Sequence, residues 1–398
     1  MEPATTTKRA KQSENQNQDR LGDLPDCLII HILTFVKCRD AARTCVLSKR
    51  WKHLYKRMSI LLLNASDFAT VKIFAKFVSK LLLHRDSSVA LHTLDFRRYG
   101  VIETRILKKV LHYAVSNNVR RLGIDIQPDD RLLPIIGCSV FSCRSLTSLK
   151  LSVYCKNYSE EKIVFPESPD LPALTSLDVT NIVFCASSGS DRAEPFSNLS
   201  KLNNLFIGSY TLRDAKTLCV SSVTLSSLAF RAYCCPSKIV LSTPNLCSFD
   251  FSGVTCHDLS GSGLSAVKRV NIDADTSYCS SEPPFILLNW VKELVNVQSM
   301  MVTINTLQVL FLIPDLVKIN FPSLGNLKSM KVKMKPLSCA VTESLGPFKS
   351  RKAQKMILLV IQKGSSSECS EEEGILHLGA QTILTYLLSQ NETSLIAS

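Results

Sequence analysis

Two spacings of apolar positions divide this chain. Between residues 24 and 57 they recur at helical intervals, and Leu28, Ile29, Ile32, Leu33, Phe35 and Val36 fall on one broad helical face. Leu24-Pro25-Asp26 opens the segment with a proline at the helix start, where its missing N–H costs nothing. Asp40 is the expected cap of a second short helix through Ala41, Ala42, Cys45 and Val46. Ser48 is the expected cap of a third, Lys49–Arg57, with Trp51, Leu54 and Tyr55 as its apolar contacts. Three short helices make a marginal unit. Such a unit cannot bury the whole apolar side of its first helix, so part of that side is expected to face a partner groove.

From about residue 88 the spacing becomes apolar-x-x-apolar-x-apolar. It runs through Leu91/Leu94/Phe96, Val119/Leu122/Ile124, Leu146/Leu149/Leu151, Leu174/Leu177/Val179 and Leu202/Leu205/Ile207. It continues with Leu225/Leu228/Phe230, Leu246/Phe249/Phe251, Val267/Val270/Ile272, Val297/Met300/Val302 and Leu327/Met330/Val332. Successive starts lie 28, 27, 28, 28, 23, 21, 21, 30 and 30 residues apart, the interval of leucine-rich repeats. The fourth and sixth positions point to one side of a short strand, so stacked parallel strands would share one core. Unrelated amphipathic strands in a sandwich would alternate in the same way but have no reason to keep the interval. Turn residues mark the joins, as in Ser168-Pro169-Asp170-Leu171-Pro172 and Gly261-Ser262-Gly263.

Residues beside the sixth position project from the opposite, open side of each strand. Read in order, the candidate contacts there are Arg97, Asp125, Lys150, Asp178, Arg231, Asp250, Asp273 and Lys331. Their signs are mixed. The net charge of 47 − 34 = +13 raises a nucleic-acid reading. A nucleic-acid groove would, however, be consistently basic and interleaved with aromatics. A protein partner suits the mixed surface, and a plain solvated face is the alternative. Positive charge is dense only in residues 19–60, which hold nine bases against four acids.

Chemistry is sparse. No phosphate loop, zinc-protease helix or dinucleotide fingerprint is present. Cys256-His257-Asp258 gathers suitable side chains, but consecutive residues do not face one another. No catalytic residue, metal site or cofactor is expected. Residues 1–18 are polar, without the apolar stretch of a secretory signal. The fifteen cysteines are therefore expected to be reduced, no membrane association is expected, and the nucleus and/or cytoplasm is the expected location. Lys8-Arg9-Ala10-Lys11 reads equally as a weak nuclear-import signal or a solvated basic tail.

The stretch DRLGDLPDCLIIHILTFVKCRDAARTCVLSKRWKHLY resembles the F-box of plant F-box/leucine-rich-repeat proteins. It departs from the common pattern at Val36-Lys37-Cys38, where Leu-Pro-Thr is usual, and at Met58-Ser59, where a proline is usual. The resemblance implies an α/β protein, a small three-helix F-box followed by a leucine-rich-repeat solenoid with a parallel β-sheet on its concave face. Expected segments are an arm at 1–18, the F-box at 19–60, a helical linker or cap at 61–87, repeats at 88–338 and a capping region and tail at 339–398. The resemblance also implies a non-catalytic subunit of a ubiquitin ligase. Its F-box would bind a Skp-type adaptor, and through it a cullin, by Leu24, Pro25, Leu28, Ile29, Ile32, Leu33, Val46 and Trp51. Its repeats would hold a protein substrate. A repeat scaffold or receptor that joins no ligase is the competing reading.

Overall fold

The computed structural model describes residues 21–100, 104–127, 140–154, 162–187, 189–232, 238–255, 258–275, 283–311, 326–333 and 375–378. The arm at 1–18, Cys256-His257 and the expected capping region and tail at 339–398, apart from residues 375–378, lie outside these residues.

Helix α1 (Asp26–Thr34) begins on Pro25, whose carbonyl accepts from the N–H groups of Leu28 and Ile29 at 3.0 and 3.2 Å. Helix α2 (Cys38–Arg43) starts three residues earlier than a cap at Asp40 predicts, with Lys37 at the cap position. Cys38 and Ala41 are both buried, and putting them on one face requires helical geometry from Cys38 onward. Asp40 instead sits in the first turn, paired with Arg39 and Arg43 at 3.0 and 3.3 Å. A 3₁₀ turn, Thr44–Val46, follows. The third helix starts two residues later than expected, as a 3₁₀ helix over Trp51–Arg57 with Arg50 at its cap position. The Ser48 hydroxyl still accepts from the Trp51 N–H at 3.4 Å, from two residues before that cap position.

Among the described residues twelve strands then form one sheet in chain order. They are β1 (Ile60–Asn64), β2 (Thr93–Arg98), β3 (Arg121–Ile126) and β4 (Ser148–Val153), then Ser176–Thr180, Asn204–Ile207, Ser227–Ala232, Ser248–Val254, Arg269–Asp275, Ser299–Thr303, Ser329–Lys333 and Ile375–Leu378. All neighbours pair parallel except the last, which runs antiparallel against Ser329–Lys333. Each of the ten spaced motifs lies at one of these strands, and its three apolar positions are buried, Leu327 only partly. Strand β1 was not expected, since residues 61–87 read as helical. It nonetheless carries the same spacing in Met58, Leu61 and Leu63, all buried.

A second layer packs on the apolar side of this sheet. It contains α3 (Val71–His84), α4 (Thr104–Ser116), and helices Pro283–Glu293 and Ile304–Phe311. Between them lie two small parallel sheets, one of strands Ile163–Phe165, Ile182–Cys185 and Tyr210–Arg213, the other of Arg192–Ala193, Thr217–Ser221, Lys238–Ser242 and Asp258–Gly261. Phe165, Phe184, Val220, Leu241 and Leu259 from these strands belong to the same core as the spaced motifs. Among the described residues, every helix of this layer lies where motif starts are at least 28 residues apart, and the 21- and 23-residue intervals carry short strands. The shorter intervals leave too little chain for a helix and two turns. Gly261, at φ 121°, ends one such strand where an added Cβ would run into the Leu241 carbonyl oxygen.

The box is wired to the sheet. The Arg85 guanidinium is buried and donates to the carbonyls of Met58, Val89 and Ala90 at 3.0, 2.8 and 3.2 Å. The Asp86 N–H donates to the Lys56 carbonyl at 3.1 Å, and Arg57 stands 3.6 Å from the Asp86 carboxylate. On the other side Lys37 pairs with Asp67 at 2.8 Å, and Arg39 donates to the Asp67 carbonyl.

Candidate functional site

Two surfaces carry exposed chemistry. In the box, the apolar side of α1 divides in two. Ile29 and Leu33 are buried with Cys38, Ala41 and Leu54, because they lie on the side of α1 that faces the following helices. That burial removes both from the residues a partner can touch directly, contrary to the expectation for them. Leu28 and Ile32 are 47% and 41% exposed, and Phe35 beyond the helix end is 78% exposed. Val36 is exposed as well, and the turn after α2 adds Val46 at 83% and Leu47 at 64%. Leu47 was not among the expected contacts; its signal was an apolar pair, Val46-Leu47, in a turn too short to bury both.

Leu24 and Trp51 are half-buried and packed against the core, and Pro25 is exposed. Arg50 holds this opening in place, its Nε donating to Asp26 at 2.7 Å and its Nη groups to the Gly22 and Leu24 carbonyls. Lys37, Arg43, Lys49 and Lys52 are exposed in the same box, so its apolar surface sits in a basic setting. The Cys38 thiol is unreactive there: burial, with the nearby Asp67 charge, pushes it up to about 12.

The second surface is the open face of the main sheet. Strand register sets Asp95, Gly123, Lys150, Asp178, Phe206, Ala229, Asp250, Asn271, Met301 and Lys331 in one continuous row. A neighbouring row begins Arg97, Asp125, Ser152, Thr180 and resumes at Arg231, Ser252, Asp273. The structure thus brings Arg97 beside Asp125 and Lys150 beside Asp178. Lys331 stands nine strands from Arg97, on the order of 40 Å at ordinary strand spacing. One small ligand cannot touch both.

Most charges on this face already have partners. Arg97 Nη2 pairs with Asp95 Oδ2 at 2.9 Å, and Lys150 with Asp178 Oδ2 at 3.2 Å. Arg231 lies over the Phe206 ring, 5.6 Å from its centroid, and Thr303 donates to Asp273 Oδ1 at 2.8 Å. Among the described residues two buried carboxylate oxygens, Asp125 Oδ1 and Asp178 Oδ1, have no hydrogen-bond partner. Burial raises the Asp178 carboxyl above its ordinary value, against the lowering pull of Lys150. Tyr99 and Tyr154, missed in the sequence because they fall just beyond strand ends, border Asp125. Among the described residues no group of three His, Cys, Asp or Glu side chains is placed to hold a metal ion, and no helix is long and apolar enough to cross a membrane.

Comparison with known proteins finds the F-box domain at residues 21–62. Two F-box/LRR-repeat proteins of Arabidopsis thaliana are each 28% identical, over 50% and 59% of this chain. An FBD-associated F-box protein of the same plant is 32% identical over 39% of it. The matched stretches cover 55%, 46% and 38% of those proteins, so the chain spans about half of their length or less. The chain thus carries an F-box domain near its start and is similar, over about half of its length, to F-box/LRR-repeat proteins of this plant.

Proposed function

We propose that this chain is the substrate-recognition subunit of a Skp-cullin-F-box ubiquitin ligase, with no catalytic role of its own, acting in the nucleus and/or cytoplasm. The main sheet and its second layer form a leucine-rich-repeat solenoid, and the open face of the sheet holds a protein substrate. The exposed apolar set of the box carries the reading. Leu28, Ile32, Phe35, Val36, Val46 and Leu47 are large side chains left in water by a unit that buries Ile29, Leu33, Cys38, Ala41 and Leu54. A monomer gains nothing from that arrangement, and a Skp-type adaptor with an apolar groove does. In this reading Leu24, Pro25 and Trp51 shape the patch from beside and beneath, and Ile29 and Leu33 hold α1 in position. The cullin is reached only through the adaptor. The substrate surface is chemically uneven from strand to strand, which suits one partner better than many.

The test is co-purification of the tagged full-length chain with a Skp-type adaptor, with and without Phe35→Asp and Leu47→Asp. The intact chain retains the adaptor, and each variant loses it by at least about tenfold, since a charge is forced into a desolvated contact. Failure of the intact chain to bind any Skp-type adaptor would overturn the proposal in favour of a scaffold that works outside a ligase.

A further inference from the structure

Tyr99 and Tyr154 follow β2 and β4 directly, one on each side of β3, and their rings meet over it with centroids 5.9 Å apart. Beneath them β3 carries Asp125. It alternates with Ile124 and Ile126, both fully buried in the core, and therefore projects to the open face. The Tyr99 hydroxyl donates to Asp125 Oδ2 at 3.1 Å. The other oxygen, Oδ1, receives nothing, yet the residue is only 7% exposed. Neighbouring cations do not fill the gap. Arg97, opposite Asp125 in the ladder, is held by Asp95, and Lys150 is held by Asp178.

A buried carboxylate oxygen without a donor is costly in a finished core. Here the Tyr99 hydroxyl rests on the same carboxylate, and the Tyr99 ring and the Tyr154 ring it meets are themselves 56% and 41% exposed, so the cover is open to solvent and can turn aside. An acceptor floor and two aromatic walls favour a cation, by charge and by the electron-rich ring faces. Among side chains, the flat guanidinium both stacks on a ring and donates along its edge to a carboxylate.

We propose that Asp125, Tyr99 and Tyr154 form a receptor for an arginine side chain of the protein substrate. This rests on the reading of the open face as the substrate surface, and it names the chemistry of one contact there. The arginine N–H donates to Asp125 Oδ1, its plane lies against the tyrosine rings, and the Tyr99 hydroxyl keeps the second oxygen occupied.

The test uses the full-length chain and heptapeptides Gly-Ser-Gly-X-Gly-Ser-Gly with X as arginine, lysine or the neutral isostere citrulline. Binding is read by saturation-transfer NMR and titration. The arginine peptide binds saturably, lysine more weakly, and citrulline gives no signal. Asp125→Asn weakens arginine binding about tenfold or more, the scale of a lost charged hydrogen bond. Tyr154→Ala weakens it about two- to fivefold, the scale of one cation–π contact; Tyr154 is exposed, so this variant stays informative if Asp125→Asn does not fold. Equal binding of citrulline, equal binding of lysine, or unchanged binding by either variant overturns the assignment. Adaptor co-purification from the same preparation separates the two proposals. An intact adaptor complex with no arginine binding sinks only the receptor, and arginine binding without adaptor sinks only the ligase reading.

Discussion

Cys27 and Cys38 sit eleven residues apart and differ in burial. Cys27 is exposed on α1, whereas Cys38 is buried and its thiol pushed up to about 12. At pH 8 Cys38 holds roughly one thiolate in ten thousand, so brief native alkylation with iodoacetamide should label Cys27 and spare Cys38. Mass spectrometry reads both, and equal labelling would mean that the box opens freely. Asp178 makes a pH prediction. Its folded carboxyl is raised above the unfolded value, so the native state holds the proton more tightly than the unfolded chain does. Stability from this group is therefore greatest below the unfolded value of about 4 and falls as pH rises through the folded one. Asp178→Asn removes that dependence, and denaturant melts should show the variant gaining on the wild type as pH rises from about 4. A difference that does not vary with pH would show that burial does not disfavour the Asp178 charge.

Strands respond to substitution by parity. Leu149, Leu177 and Leu228 are buried at the fourth motif position, and each change to Ala should cost about 2–5 kcal/mol in chemical denaturation. Ala229→Ser, one residue further and on the open face, should stay within about 0.5 kcal/mol. Equal costs for Leu228→Ala and Ala229→Ser would mean the register is shifted by one. This parity was legible in the sequence because the fourth and sixth positions of each motif bind two apolar residues to one face of one strand. Elements fixed by their neighbours were not legible. The short strands of the second layer pair with strands from adjacent intervals, a partnership no local spacing encodes. Strand β1 was hidden differently: Ile60-Leu61-Leu62-Leu63 is apolar throughout, so Leu62, 45% exposed, masks the alternation of Leu61 and Leu63. On the box surface the helix periodicity identified the apolar side of α1, but which residues turn inward depended on where the later helices pack. Asp125 was legible as a face residue, and its tyrosine cover was not.

At the scale of the whole molecule, the junction between box and sheet is the place where local and global stability meet. Arg85→Met keeps the aliphatic bulk but leaves the Met58, Val89 and Ala90 carbonyls without their shared donor. It should cost at least about 2 kcal/mol, and limited proteolysis should then cut near residues 58–60 faster than in the wild type. Unchanged cleavage there would show that Arg85 does not hold the two parts together. The wild-type junction has no slack, because the residues leaving the box become β1, the first strand of the sheet, with Arg85 bolting both to the turn before β2. Geometry then makes the sheet a lever arm. Over the roughly 40 Å from β2 to the Lys331 strand, each degree of rotation at the junction sweeps the far strand through about 0.7 Å. Whatever is held on the open face is therefore aimed, by a fixed bracket, at one region of space relative to whatever grips the box.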